Sequence, residues 1–272
     1  MKERSRAQAV KVVRLEGAAA PAEAADEVAV EEPLEIQVEG QSIAVVMRTP
    51  GHDRELAAGF ALTEGIVSDR TEIFEITSCL TTAQSAKNVI NLALRNPGRF
   101  DRAKLSRNVF SSSSCGVCGK ATIEAVRQQF PAISSAPAIR VKVLCALPEK
   151  LAEAQETFQR TGGLHACALF DLQGRLLLLR EDVGRHNALD KLIGHELLED
   201  ELPLAERILL LSGRVSFEMT QKALAAGLGI IAAISAPSSL AVEFARANNQ
   251  TLIGFLRGQR MNLYAGAERV IR

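Results

Sequence analysis

The sequence predicts an α/β protein: a layered C-terminal sheet with parallel crossovers, preceded by a smaller α+β unit. Three observations carry that reading. After Pro203, short apolar runs of strand length alternate with helical stretches, the succession that lays helices over a parallel sheet. Before residue 100, strand candidates gather around a single helix candidate. Between the two, Ser111-Ser112-Ser113-Ser114 runs into Cys115-Gly116-Val117-Cys118-Gly119, a segment with little to bury. At roughly 150 residues per domain, the 272 residues accommodate one large domain or two modest ones. The expected boundaries are a mobile tail over 1–27, an N-terminal α+β domain over 28–108, a mobile Ser/Cys loop over 109–120 and the α/β domain over 121–272.

The elements follow in chain order. Residues 1–27 mix Ala, Glu and Lys without an apolar period and cannot offset the entropy lost on ordering, hence the tail. Residues 34–38 and 42–48, around Glu39-Gly40-Gln41, read as a β-hairpin. Pro50-Gly51 ends it, 55–62 has helical spacing, and 72–77 and 88–94 are further strands, closed by Asn96-Pro97-Gly98. A helix candidate begins at Ala121 and ends before Pro131, and 148–160 reads as a helix stopped by Gly162-Gly163. Strands at 164–170 and 175–180 pair around Asp171-Leu172-Gln173-Gly174. Asn187 suits the N-cap of a helix to Leu198, with Asp190 at its third position. Strands at 208–211, 230–234 and 252–256 then alternate with helices at 216–226, closed by Gly227, and 238–247, capped by Ser238. The resulting order, αββαβαβαβ, gives the last three strands parallel crossovers.

Composition excludes several function classes. Apolar residues make up 47% and charged residues 24%, and 32 basic side chains balance 32 acidic ones, so neither chain-wide disorder nor a global basic field fits. With aromatics at 4%, no Trp and only Tyr264 as tyrosine, there is no platform for stacking bases, so nucleic acid is not expected as a partner. Five cysteines without a regular ladder of spacings suit a reducing compartment. Residues 1–27 lack the apolar centre of a secretory signal, and the longest weakly polar run, 224–237, falls short of the ~20 residues that span a bilayer. A cytoplasmic protein without membrane contact is expected.

Open α/β sheets bind ligands at the carboxyl ends of their strands, where helix N-termini also point. The residues expected there are 181–187, including His186; Ser212, Gly213 and Arg214; 235–239, including Ser238; and 257–260. Glycine, serine and arginine at successive strand ends supply backbone N–H groups, hydroxyls and forked cations, the means of holding a phosphate or pyrophosphate. Taken singly, such residues also serve as turns and caps; arginines in several loops on one edge favour an anionic ligand.

Cys115 and Cys118 form a Cys-x-x-Cys ahead of a helix candidate. Structural zinc requires four ligands, and Cys79, Cys145 and Cys167 are solitary, with only His165 near one of them. A redox pair at a helix N-terminus has the right dipole, but four serines precede it where a strand belongs. Sulfur relay, in which a thiolate takes a terminal sulfur as persulfide and presents it to a second partner, suits an uncrowded loop, and Lys120 favours the thiolate.

The run Ser112 through Lys120, together with Thr161-Gly162-Gly163-Leu164-His165-Ala166, 181–189, 212–219, 235–241 and 254–262, resembles the formate dehydrogenase accessory sulfurtransferase family. The likeness extends from about Glu32 to Tyr264. The resemblance implies that a cysteine desulfurase loads sulfur onto Cys115, with Cys118 as helper. The sulfur is then destined for a molybdenum (or tungsten) bis-molybdopterin guanine dinucleotide cofactor, a bound client, before the cofactor enters formate dehydrogenase. It further implies that this cofactor lies near Phe255, Leu256, Arg257, Gly258, Gln259 and Arg260. No resident metal is expected, and the choice between monomer and homodimer stays open. The alternative is a non-catalytic chaperone for the cofactor, with the cysteine pair as zinc ligands; a general thiol oxidoreductase ranks third.

The family also resembles the cytidine deaminase fold in its C-terminal domain, and the αββαβαβαβ order agrees with that independently. Deaminases need a His-x-Glu and a Cys-x-x-Cys at two helix starts. Here His186 is followed by Asn187 and Ala188, and Ser212-Gly213-Arg214 occupies the other position, so deamination is excluded. Among the remaining candidates, His165 reads as a structural residue in an apolar strand, and His52 and His195 as surface residues. Glu218 reads as a helix-dipole residue, and Arg99, Arg102, Lys104, Arg107 and Arg140 as a solvated charge face.

Overall fold

The computed structural model describes residues 5–78, 88–99 and 130–272. It opens on a two-stranded antiparallel ribbon, β1 (Ala7–Arg14) and β2 (Ala22–Ala29), in register from Ala7 opposite Ala29 to Arg14 opposite Ala22. The expectation of a tail therefore fails for this stretch. Val10, Val12 and Val13 favour extended backbone, and an isolated ribbon would be marginal. What orders it is anchoring at its base: Arg160 forks onto Glu27 at 2.6 and 2.9 Å, Val30 N–H donates to Arg6 O at 2.9 Å, and Arg6 Nη2 lies 2.6 Å from His52 Nε2.

A four-stranded sheet follows, ordered β4-β3-β6-β5, from β3 (Glu32–Val38), β4 (Gln41–Arg48), β5 (Ile73–Ser78) and β6 (Val89–Leu94). The expected hairpin is β3–β4, and its two-residue turn puts both Glu39 and Gly40 in the left-handed region, as a twist-matched hairpin requires. Helix α1 (Asp53–Thr63) lies on this sheet, and every residue from Leu56 to Thr63 is buried. A helix buried on all sides must be covered by more than one layer, and the second cover comes from the C-terminal half.

That half begins with β7 (Ile139–Arg140), α2 (Val141–Ala154) and α3 (Glu156–Thr161). The helix expected at 148–160 is thus two helices: the first starts earlier and carries Pro148 inside it, and the second ends, as expected, on Gly162 at φ +65°. Next come β8 (His165–Asp171), β9 (Leu176–Asp182), α4 (Arg185–Leu198), β10 (Arg207–Leu211), α5 (Phe217–Ala225), β11 (Ile230–Ala233), α6 (Ser239–Ala247), β12 (Thr251–Arg257), β13 (Arg260–Ala265) and β14 (Val270–Ile271). Six of these strands form one sheet, β13-β12-β11-β10-β8-β9. As expected, β10, β11 and β12 are parallel, whereas β8, β9 and β13 run antiparallel to their neighbours. Asn187 is not the N-cap of α4; Gly184 holds that position, and the Asn187 amide donates elsewhere.

Alternation along the strands sorts the core onto two faces. Cys167, Leu169, Leu209, Leu211 and Ile231 pack toward α4, α5, α6 and α1; Ala168, Phe170, Ile208, Leu210 and Ile253 pack toward Leu144, Leu147 and Leu151 of α2. The layers therefore run from α2 through the six-stranded sheet and its helices to α1 and the four-stranded sheet. Helices α1 and α4 meet backbone to backbone: a Cβ on Gly59 would lie 1.9 Å from Asp190 O, and one on Gly194 would lie 1.8 Å from Glu55 O. Beside this crossing, Lys222 reaches Asp190 at 2.9 Å and Thr63 Oγ1 at 2.7 Å, so the one charged group α5 buries here is matched from both neighbouring helices.

At the other end of the crossing, Arg180 of β9 grips Glu55 of α1 through both guanidinium edges, at 2.5 and 2.8 Å, with His52 and His195 each 3.2 Å from the carboxylate. Burial works against the charged form of Glu55, but Arg180 and His52 overcome it and hold its pKa at about 2. The folded value lies below that of an unfolded glutamate, near 4.3. The stabilisation is therefore complete above that unfolded value and is lost as pH falls toward the folded one. In consequence, Arg180→Met should lower the melting temperature at pH 6, and the gap from wild type should narrow steadily between pH 5 and pH 2.5. A gap independent of pH would show that the carboxylate is not what Arg180 stabilises.

Candidate functional site

Strand direction brings the sequence-predicted loops to one edge. The ends of β10, β11 and β12 point the same way, the end of β9 joins them, and His165 at the start of β8 lies opposite Asp182 there. At β10, Ser212 continues the ladder: its N–H donates to Ala166 O at 3.0 Å and its hydroxyl accepts from Ala166 N–H at 2.9 Å. Gly213 leaves room for the His165 ring, whose Nδ1 would sit 3.1 Å from an added Cβ. Arg214 follows, exposed, and Ser216 stands at the N-cap of α5 without using its hydroxyl as a cap.

Three polar atoms on this edge are buried without a hydrogen-bond partner: Arg185 Nε, His186 Nε2 and Ser216 Oγ. His186 Nε2 is 2.9 Å from Glu218 Oε2, within ion-pair range, but the pair is not aligned as a directed hydrogen bond. Buried polar groups are nearly always satisfied, because stripping them of water without replacement costs on the order of 1–3 kcal/mol each. Arg185 Nε and Ser216 Oγ, at the N-termini of α4 and α5, are thus left as donors with an unfilled bond, and His186 beside them faces the Glu218 carboxylate. Burial pushes His165 below the usual imidazole range, and the charges of Arg185, His186 and Arg214 push it further, against Asp182. The nearby cationic groups thus add to burial in disfavouring the charged form of His165.

The second group of predicted residues lies two strands along the same edge, about 10 Å away at the usual strand spacing. Val215 bridges to Pro237, and Phe255 N–H donates to Ser235 O at 3.1 Å, so the loops after β10, β11 and β12 are stitched together. Ser238 caps α6, accepting from Ala241 N–H at 3.2 Å. Phe255 sits in a β-bulge at φ +52°, a strained conformation for a non-glycine residue, with its ring partly exposed. Leu256 is a correction to the expected binding set: its side chain is wholly buried with Ile253 in the core facing α2, and serves packing. Arg257 donates from Nε to Ile234 O at 3.1 Å, Gly258 turns the chain at φ +54°, and Gln259 and Arg260 are exposed. Cys115 and Cys118, with Lys120, lie outside the described residues.

Sequence reasoning missed four members of the pocket. Arg185 was within the right loop without being singled out, and Ser216 was read only as the start of the 216–226 helix; the signal was the Gly-Arg-His run at one helix start and a capping-type serine at the next. His165 is an edge residue, not a strand-interior one, and Glu218 faces His186 in addition to favouring the α5 dipole. Nor are His52 and His195 simply surface residues, since both meet Glu55. Among the described residues, no group of three or more His, Cys, Asp and Glu side chains could hold a metal ion, and no helix is long and apolar enough to cross a membrane.

A family model described as the FdhD/NarQ family matches residues 29–271. The chain belongs to the FdhD/NarQ family. Two relatives carry the name sulfur carrier protein FdhD. The one from Streptomyces coelicolor is 49% identical over 252 residues, covering 90% of this chain and 89% of that protein. The one from Mycobacterium tuberculosis is 48% identical over 250 residues, covering 89% and 91%. A crystal structure from Desulfotalea psychrophila, of a protein given the provisional name formate dehydrogenase accessory protein, superposes with a TM-score of 0.79 at 24% identity, over 98% of this chain and all of that one. That likeness establishes the fold. In this FdhD/NarQ family member, the strand-end edge that carries Arg185, His186 and Ser216 holds most of the buried side-chain polar atoms left without a hydrogen bond among the described residues.

Proposed function

We propose that this protein is a sulfur carrier acting in the cytoplasm in the maturation of formate dehydrogenase. The Cys115 thiolate attacks the outer sulfur of a cysteine desulfurase persulfide; that S–S bond breaks, the desulfurase cysteine leaves as thiolate, and the sulfur remains on Cys115 as a persulfide. Its destination is a molybdenum (or tungsten) bis-molybdopterin guanine dinucleotide, bound as a client. The observation that carries the reading is that Arg185 Nε and Ser216 Oγ are buried without a hydrogen-bond partner on the edge where His186, Arg214 and two helix N-termini also lie. A dinucleotide's diphosphate is an oxyanion that such a set suits. The relatives' name, sulfur carrier protein, supports the relay through Cys115. The element order also supports a cytidine deaminase-like scaffold for the C-terminal half, without the residues deamination requires.

Calorimetric titration with guanosine diphosphate tests the site. Removing a charge-assisted contact costs about 1.5–3 kcal/mol, so Arg185→Ala should weaken binding on the order of 10- to 100-fold. Arg257→Ala and Arg260→Ala should weaken it less, because both groups are solvated at the rim. Undiminished affinity in Arg185→Ala would remove the pocket from the account.

A further inference from the structure

The loop that delivers Arg185 and His186 to the pocket is not held by the six-stranded sheet alone. Asp182, fully buried at the end of β9, accepts from Gly184 N–H at 2.8 Å, from the Asn187 amide at 3.1 Å and from Thr49 N–H at 3.1 Å, and pairs with Lys191 at 2.6 Å. Thr49 belongs to the N-terminal unit, in the turn between β4 and α1. It returns two more bonds: its hydroxyl accepts from Val183 N–H at 3.2 Å, and its carbonyl accepts from Lys191 Nζ at 2.8 Å. The Asn187 amide also donates to Met47 O at 2.7 Å. The arrangement has no slack, since a Cβ on Gly184 would lie 2.9 Å from the Asn187 amide nitrogen. Lys191 is buried beside Asp182, so the pair fixes this junction by charge as well as by hydrogen bonds.

From these contacts we infer that Thr49, Asp182 and Asn187 are positioning residues for the anion pocket, by which the N-terminal sheet sets where Arg185 and His186 stand. None of the three belongs to the set, Arg185, His186 and Ser216, read as the anion site. They act on the 183–187 loop from behind, and each hydrogen bond they supply constrains the backbone that carries Arg185. The inference rests on the reading of that pocket as an oxyanion site.

Thr49→Val keeps the shape and removes the acceptor for Val183 N–H, whereas Thr49→Ser keeps the acceptor. Inorganic pyrophosphate, titrated calorimetrically into the full chain, should bind Thr49→Val about fivefold more weakly than wild type, the equivalent of one hydrogen bond. Thr49→Ser should bind within about twofold of wild type, a rescue that loss of packing alone would not produce. Should Thr49→Val fail to fold, Asn187→Ala decides, at a partly exposed position, with the same weakening expected and its melting temperature recorded alongside. If Thr49→Val, or Asn187→Ala in its place, binds as wild type while Arg185→Ala is impaired, the positioning role is overturned and the pocket stands. If Arg185→Ala also binds as wild type, both fall together.

Discussion

Gly194→Ala should lower the melting temperature by roughly 10 °C. The methyl group would be placed 1.8 Å from the Glu55 carbonyl oxygen, a backbone atom that cannot swing aside as a side-chain tip can. Helices α1 and α4 would have to separate along a crossing whose flanks are buried: Leu56, Ala57 and Phe60 on one side, Leu189, Leu192 and Ile193 on the other. Overpacking of a well-filled interior costs about 1–3 kcal/mol and occasionally more; a collision between two backbones belongs at the upper end. At about 2–4 °C per kcal/mol for a chain approaching this size, the shift should be plain in a calorimetric scan. Gly98→Ala is the control, since nothing lies within 4 Å of the Cβ it would add. Gly59→Ala should match Gly194→Ala, and the double variant should fall short of the sum, because separating the helices once relieves both contacts. A Gly194→Ala protein melting within about 2 °C of wild type would disprove so close a crossing.

Cys115→Ala should abolish function outright. In the proposed relay only a thiolate at residue 115 can attack the desulfurase persulfide and hold the transferred sulfur, and alanine offers neither nucleophile nor bond. Incubated with cysteine and a cysteine desulfurase, wild-type protein should gain about 32 Da per sulfur, assigned to Cys115 by peptide mapping after alkylation. Cys115→Ala should gain none there and should leave formate dehydrogenase at the activity found without the protein. Cys115→Ser should behave likewise, a hydroxyl being far too weak an acid to substitute. Cys118→Ala, changed at the helper position, should still accept the first sulfur. Full activation by Cys115→Ala would end the relay assignment, while leaving the pyrophosphate experiments able to judge the pocket independently.

Local chemistry made much of this molecule legible in advance. Glu39-Gly40 between alternating strands gives the β3–β4 turn, Gly162 ends α3, and Ser238 caps α6 because residues this close in sequence have few ways to satisfy their backbone groups. The strand-end loops were found because an alternating order of strand and helix leaves the chain only one edge on which to place them. Where local signals compete, the reading failed. Asn187 has the composition of an N-cap, but Met47 O and Asp182 offered its amide better partners. The valines of β1 were outweighed by their polar surroundings until Arg160 and His52 supplied anchors.

What the sequence by itself determined is the order of elements, the sheet edge that bears serines, glycines and arginines, and the motif that carries Cys115. Periodicity, turn residues and caps act over a few positions and can be read along the chain. Tertiary structure alone decided that Glu55 meets Arg180, 125 residues away, that Thr49 braces Val183, 134 residues away, and that Arg185 Nε and Ser216 Oγ are buried without a hydrogen bond. Such contacts depend on which faces pack together once the whole core has closed, and no local pattern encodes that choice.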